Sequence, residues 1–190
     1  MITFEDRDRF NFPLTQDSVV IDVGAYRGQW AKHISELYHC AILAFEPCKR
    51  WFDEASQALV GHPNVKLFHC GLAGSFREVE FGVQNDSTGE FAGSPERETV
   101  RLLPIFPFII EQCGRAEFDL LKLNCENGEY DILEKVLELK QAHSFKAMIV
   151  QFHINAPDYE KRYEAIAAGL SATHELVSRI PFVWEKWERR

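Results

Sequence analysis

In the stretch "DVGAYRG", Asp22, Gly24 and Gly28 surround the point where an apolar run gives way to an amphipathic one. Glycines there permit positive φ and let a ligand approach the backbone, as a nucleotide-type cofactor site requires. The spacing bears on which cofactor. A dinucleotide fingerprint needs G-x-G-x-x-G, with its middle glycine beside the pyrophosphate and a helix N-terminus facing the negative charge. Here the spacing is Gly24-x-x-x-Gly28, and Tyr26 stands at the middle position, where its bulk crowds a pyrophosphate. Asp22 repels a phosphate and suits a ligand with cationic groups, such as the sulfonium and ammonium of S-adenosylmethionine. The loop alone does not decide the matter, because a glycine-rich turn with no ligand fits the same residues.

Four further apolar runs end in polar groups. Glu46 in "AFEP" follows Gly24 at close to the roughly 20-residue offset of an acidic ribose binder. Its carboxylate can accept from both ribose hydroxyls, a requirement that NAD and S-adenosylmethionine share. In "FHCGLAG", Gly71 and Leu72 offer a backbone contact and an apolar face for an adenine, and a plain strand end explains them equally. In "KLNCENGEYDIL", strand alternation points Asn124 and Glu126 the same way. Polar groups that end a buried strand beside a cleft need partners, and a ligand or catalytic network is a natural one. Asn127 and Glu129 read as the cap and the first-turn acid of the following helix. "VQFHINAP" puts Gln151 and His153 on one face. His153 is either a general base, with an ordinary pKa near 6.5, or a satisfied structural histidine.

These residues need strand ends to carry them. "SVVIDVG", "CAILAFEP" and "VKLFHCGL" read as buried strands, and "GQWAKHISELY" and "RWFDEASQALV" as the helices between them. Continuous apolar strands alternating with amphipathic helices imply a parallel, doubly wound α/β sheet covered on both faces. The middle departs from that pattern. "REVEFGVQ" alternates like a half-exposed antiparallel strand, and "NDSTGEFAGSPERE" is a polar loop whose "NDST" segment, residues 85–88, is placed to lid a pocket. "TVRLLPI" reads as a returning strand and "PFIIEQCG" as a short helix. The β/α alternation then resumes with "EFDLLKLNCE", "GEYDILEKVLEL", "FKAMIVQFH" and "DYEKRYEAIAAGLSAT". "HELVSRI" and "FVWEKWE" form a C-terminal hairpin, where Trp184 and Trp187 either pack or stack on a sugar. Residues 1–17 form a polar lead-in or cap, and the whole of 1–190 reads as one domain.

Composition narrows the partners. The formal net charge of -8, from 29 acids and 21 bases, argues against nucleic acid. The five cysteines lack C-x-x-C spacing and read as reduced thiols of a cytoplasmic protein. There is no signal-peptide pattern, and no apolar run approaches the roughly 18 residues that span a bilayer, so no membrane partner is expected.

Together, "VVIDVGAYRGQWA", "AFEPCKRWFDEA", "NVKLFHCGLAG", "FDLLKLNCENGEYDIL" and "FVWEKW" resemble the FkbM family of S-adenosylmethionine-dependent methyltransferases over residues 18–188. The resemblance implies a class I methyltransferase fold: a Rossmann-like, mostly parallel seven-stranded sheet with an antiparallel C-terminal hairpin and helices on both faces. It implies S-adenosyl-L-methionine as cofactor and methyl transfer to a hydroxyl of a sugar or small natural product. By position, Asp22, Gly24, Ala25, Tyr26 and Gly28 would form the methionine-end loop, Ala25 and Tyr26 mainly through backbone. Glu46 would hold the ribose, and Gly71 and Leu72 would flank the adenine. Asn124 would orient the cofactor amine or the acceptor, with Glu126 the first candidate base and His153 the second.

The family often has Asp-x-Glu-Gly where this chain has "NCEN". Asn124 cannot accept a proton or bind a cation as Asp does, which argues against a metal-assisted or Asp-base mechanism. The chain is also short, so a lid from the N-terminus is minimal or supplied by a partner subunit, as in a homodimer. Two other classes compete: an NAD-dependent oxidoreductase, and a degenerate methyltransferase fold acting as a non-catalytic binding subunit.

Overall fold

The structure, a computed structural model, describes residues 6–85 and 87–190. Strand β1 (Val19–Val23) is buried along its whole length. Val19, Ile21 and Val23 face one hydrophobic cluster and Val20 faces a second, as a strand covered on both faces requires. The chain continues through α1 (Gln29–Tyr38), β2 (Ala41–Phe45), α2 (Lys49–Ala58) and β3 (Val65–Phe68). Then come β4 (Gly71–Ala73), β5 (Arg77–Gly82), β6 (Arg97–Pro104) and α3 (Ile105–Cys113). The last third holds β7 (Phe118–Leu123), α4 (Gly128–Glu138), β8 (Phe145–Val150), α5 (Tyr159–Leu170), β9 (His174–Ile180) and β10 (Trp184–Arg189).

Seven strands form one sheet in the order β3-β2-β1-β7-β8-β10-β9. Its pairs are parallel except those of β10, which runs antiparallel to both β8 and β9. This is the class I methyltransferase arrangement. The strand order turns back between β1 and β7, so a crevice opens at the carboxyl ends of those two strands.

Two sequence expectations need correction. The run "VKLFHCGL" is not one strand: β3 ends at Phe68, and β4 joins β6 and β5 in a separate three-stranded sheet. Gly71 pairs with Leu102 of β6, and a Cβ on it would lie 2.4 Å from a Leu102 methyl carbon. The short helix expected at 107–114 begins earlier, at Ile105, with Pro107 in its first turn where no amide is needed. The two tryptophans of the hairpin pack, with Trp184 9% and Trp187 3% exposed.

The N-terminal lead-in, from residue 6 onward, is fastened to α1 and β10. Trp30 Nε1 donates to the Arg9 carbonyl at 2.9 Å, the Tyr38 hydroxyl to that of Phe10 at 2.7 Å, and Lys186 Nζ to that of Asn11 at 3.0 Å.

One register pair sets the centre of the sheet. Asp22 on β1 lies opposite Lys122 on β7, and both are buried. Lys122 Nζ approaches Asp22 Oδ1 to 2.8 Å and donates to the Gly24 carbonyl at 2.7 Å. The Asp22 contact is an ion pair without hydrogen-bond alignment. Removing one partner of a buried pair strands the other charge. Lys122→Met is therefore expected to cost about 3–5 kcal/mol in denaturant unfolding, and the double variant Asp22→Asn/Lys122→Met to recover most of that. Equal losses in the single and double variants would contradict this role.

Candidate functional site

At the carboxyl ends of β1, β2 and β7 lies a cavity of ≈ 270 Å³, closed on one side by the small sheet and the loop after β5. No described residue before Val23 lines it, so the described part of the lead-in is not its lid.

The loop after β1 is fixed from several directions. Gly24 has φ 80°, and a Cβ on it would sit 1.8 Å from the Asn124 carbonyl oxygen. Only glycine lets the two chain segments cross there. The amides of Gly24 and Ala25 both donate to the Phe45 carbonyl, at 3.0 and 2.9 Å. The Gly28 amide donates to Ala25 at 2.8 Å, and the Tyr26 amide to Glu46 Oε2 at 2.8 Å. A pyrophosphate site needs such amides free to point at the anion. Here four of them are already engaged.

Glu46 is the second fixed point. Its Oε1 accepts from the Cys48 amide at 3.0 Å, as Oε2 does from Tyr26. Burial raises its pKa to about 7, and the amides of Cys48 and Tyr26, with the charge of Lys122, pull it back only in part. Tyr26 and Trp51 pack ring to ring at 4.7 Å on the cavity wall. Gly71 and Leu72 of β4 line the cavity opposite.

Beyond β7 the chain turns sharply, with Glu126 and Asn127 at φ 50° and 79°. Asn124, Cys125 and Glu126 all line the cavity. The strand has ended at Leu123, so alternation does not govern where these side chains lie.

Behind Glu126 stands a carboxylate–imidazole–carboxylate chain. His153 Nε2 lies 2.9 Å from Glu126 Oε1, and His153 Nδ1 lies 3.0 Å from Glu129 Oε1. The Nδ1 contact is a hydrogen bond, whereas the Nε2 contact is an ion pair without hydrogen-bond alignment. Glu129 Oε1 also accepts from the His153 amide at 2.7 Å. Desolvation alone would lower the His153 pKa, but the two carboxylates outweigh it and raise it to about 10.

Several expectations change. Asp22 does not face the cavity, since Lys122 neutralises it beneath the loop. Ala25 does not line the cavity, and its amide is taken by the Phe45 carbonyl. Gly28 is a packing glycine: a Cβ there would lie 3.2 Å from Ala55 on α2. His153 is an imidazolium held behind Glu126, so it is no free base at neutral pH. Glu129 is a first-turn acid of α4, as expected, and it is also fully buried against His153. Asn127 occupies the N-cap position but its side chain makes no capping bond.

The 85–88 segment does cover the cavity, through Asn85 and Thr88; Asp86 lies outside the described residues. Trp51 Nε1 donates to Thr88 Oγ1 at 3.0 Å, and a Cβ on Gly89 would sit 2.9 Å from that of Glu126. The loop thus rests directly on the candidate base. Sequence reasoning passed over Lys122, Trp51 and Arg77. Only Lys122 carried a signal, as a lone charge inside the apolar run "DLLKL". Among the described residues no cluster of His, Cys, Asp and Glu is arranged to hold a metal ion, and no helix is long and apolar enough to cross a membrane.

The His153 chain makes a stability prediction. A group whose pKa is raised on folding stabilises fully below its unfolded value, near 6.5, and that stability is lost as pH climbs toward about 10. His153→Gln should lower the melting temperature at pH 6 and shrink the difference from wild type as pH rises to 10. A pH-independent difference would rule out the charged histidine.

Comparisons with known proteins bear on family and fold. The model of the methyltransferase FkbM domain matches residues 22–180. Among curated proteins no sequence matches. Among solved structures, an rRNA methylase from Streptococcus thermophilus superposes with a TM-score of 0.55 at 13% identity, over 93% of this chain and 89% of that one. SMU.1697c, a putative methyltransferase from Streptococcus mutans in complex with SAH, gives 0.52 at 11% identity, over 93% and 91%. Aeropyrum pernix fibrillarin with natively bound S-adenosyl-L-methionine gives 0.52 at 12% identity, over 92% and 67%. At these identities the likeness is one of fold.

Proposed function

The chain belongs to the FkbM methyltransferase family, and we propose that it methylates a hydroxyl oxygen of a sugar or small natural product with S-adenosylmethionine. Glu46 carries the reading. Each of its oxygens accepts one backbone amide, and a carboxylate has about four acceptor positions, so room remains for two ribose hydroxyls. Such donors would also supply the solvation that burial has removed. The engaged amides of the Gly24–Gly28 loop weigh against NAD and its pyrophosphate.

S-adenosylmethionine, when bound, supplies a methyl group made electrophilic by a sulfonium. The chain has to hold the acceptor in line and exclude water. Glu46 would hold the ribose, Gly71 and Leu72 the adenine, and Asn124 and the Gly24 loop the amino-acid end. Glu126 is the group we assign to the acceptor hydroxyl and its proton. His153 keeps Glu126 oriented, and Glu129 keeps His153 charged. A binding subunit without turnover has no use for this chain of three, which favours an enzyme. The net charge of -8 supports a small acceptor over nucleic acid.

Calorimetry tests the cofactor. S-adenosylhomocysteine should bind and NAD should not, and Glu46→Ala should weaken S-adenosylhomocysteine binding about 100-fold by removing two charge-assisted hydrogen bonds. Folded wild-type protein that binds no S-adenosylhomocysteine would sink the proposal.

A further inference from the structure

Strand β8 ends at Val150, and the Gln151 amide still donates to the Leu123 carbonyl of β7 at 2.9 Å. His153 lies beyond that bond, so the sheet does not hold it. Backbone groups that leave a sheet need other partners. Both of those of His153 find one on α4. The His153 amide donates to Glu129 Oε1 at 2.7 Å, and the His153 carbonyl accepts from the Tyr130 hydroxyl at 2.7 Å. Glu129 Oε1 also meets the ring at Nδ1, at 3.0 Å. Two consecutive helix residues thus hold the amide, the ring and the carbonyl of one residue. The remaining ring nitrogen lies 2.9 Å from Glu126 Oε1, and Glu126 lines the cavity.

Glu129 alone leaves a freedom. It grips the amide and one edge of the ring, and the carbonyl side of residue 153 can still turn about the chain. The Tyr130 hydroxyl closes that side. Consecutive helix side chains project about 100° apart, so the two reach His153 from different directions. The Tyr130 ring is itself fixed. It is fully buried, packs on Phe152 at 5.6 Å between centroids, and is covered by the Arg162 guanidinium 5.0 Å from its centroid. Burial, and then the charge of Glu129, pushes the phenol well above its ordinary pKa, so it stays an O–H donor.

We infer that Tyr130 is a positioning residue: through the His153 carbonyl, its hydroxyl sets the angle at which the imidazole ring meets Glu126. The inference rests on the reading of Glu126 as the group that faces the methyl acceptor. Without the hydroxyl, the carbonyl turns toward other donors. The ring then tilts away from Glu126 while Glu129 keeps the amide.

NMR titration of His153 tests this, in protein isotope-labelled at histidine Cε1 and saturated with S-adenosylhomocysteine. The His153 signal is the one missing from His153→Gln, and in the wild type it should titrate near the raised value of about 10. Tyr130→Phe keeps the buried ring and should lower that midpoint by about one unit or more, a tenfold or greater loss of proton affinity. Tyr130→para-aminophenylalanine restores a donor at the same place and should recover most of the loss. Tyr163→Phe removes a nearby hydroxyl that serves Glu185 instead, and should leave the midpoint where it is. A hydroxyl with only a structural role would lower the melting temperature of Tyr130→Phe and leave the His153 midpoint unmoved, which would overturn the inference. An equal fall in Tyr163→Phe, or no recovery with the amino ring, would overturn it too. S-adenosylhomocysteine affinity should stay within about twofold in the tyrosine variants, since neither tyrosine lines the cavity. Folded wild type that binds no S-adenosylhomocysteine would bring down the methyltransferase reading instead, and the same titrations without ligand would still decide the Tyr130 contact.

Discussion

The buried contact between Asp22 and Lys122 is the constraint from which the cavity is built. Two charges in the middle of a sheet are tolerable only together. Here they also tie the two strands between which the sheet order reverses. The ammonium holds the Gly24 carbonyl, which fixes how the chain leaves β1. That exit lets Gly24 cross under Asn124 and aims the Tyr26 amide at Glu46. The lysine therefore shapes a cavity it does not line.

Three glutamates around the site have different tasks because their surroundings differ. Glu46 is held by backbone amides, and burial keeps its proton affinity high. Glu126 reaches the cavity with an imidazolium behind it. Glu129 never reaches the cavity and acts through His153. The same side chain is thus clasped by backbone amides, turned to the cavity or set beneath a histidine, according to which neighbours surround it.

Much of this was legible in the sequence because parallel strands announce themselves. "SVVIDVG" and "CAILAFEP" are buried on both faces, so their apolar runs are continuous and their ends can be read directly. Glu46 was readable for that reason, being the first polar residue after such a run. The errors come where a side chain's direction depends on a partner far along the chain. Asp22 looks like a site residue until Lys122, one hundred positions later, is brought opposite it. His153 looks like a base until two glutamates from the preceding strand-to-helix segment flank it. The split at His69–Cys70 was hidden because "VKLFHCGL" stays mostly apolar across it while the chain changes sheets.

The two halves of the cavity are encoded differently. One wall is assembled from the ends of β1, β2 and β7, so altering it disturbs the scaffold. The opposite wall, from Gly71 through β5, its loop and β6, comes largely from one contiguous stretch that forms its own small sheet. Such a stretch can be lengthened, shortened or exchanged during evolution while the central strands stay as they are. The architecture puts the two walls on separate stretches of chain, so one wall can be edited without remaking the fold.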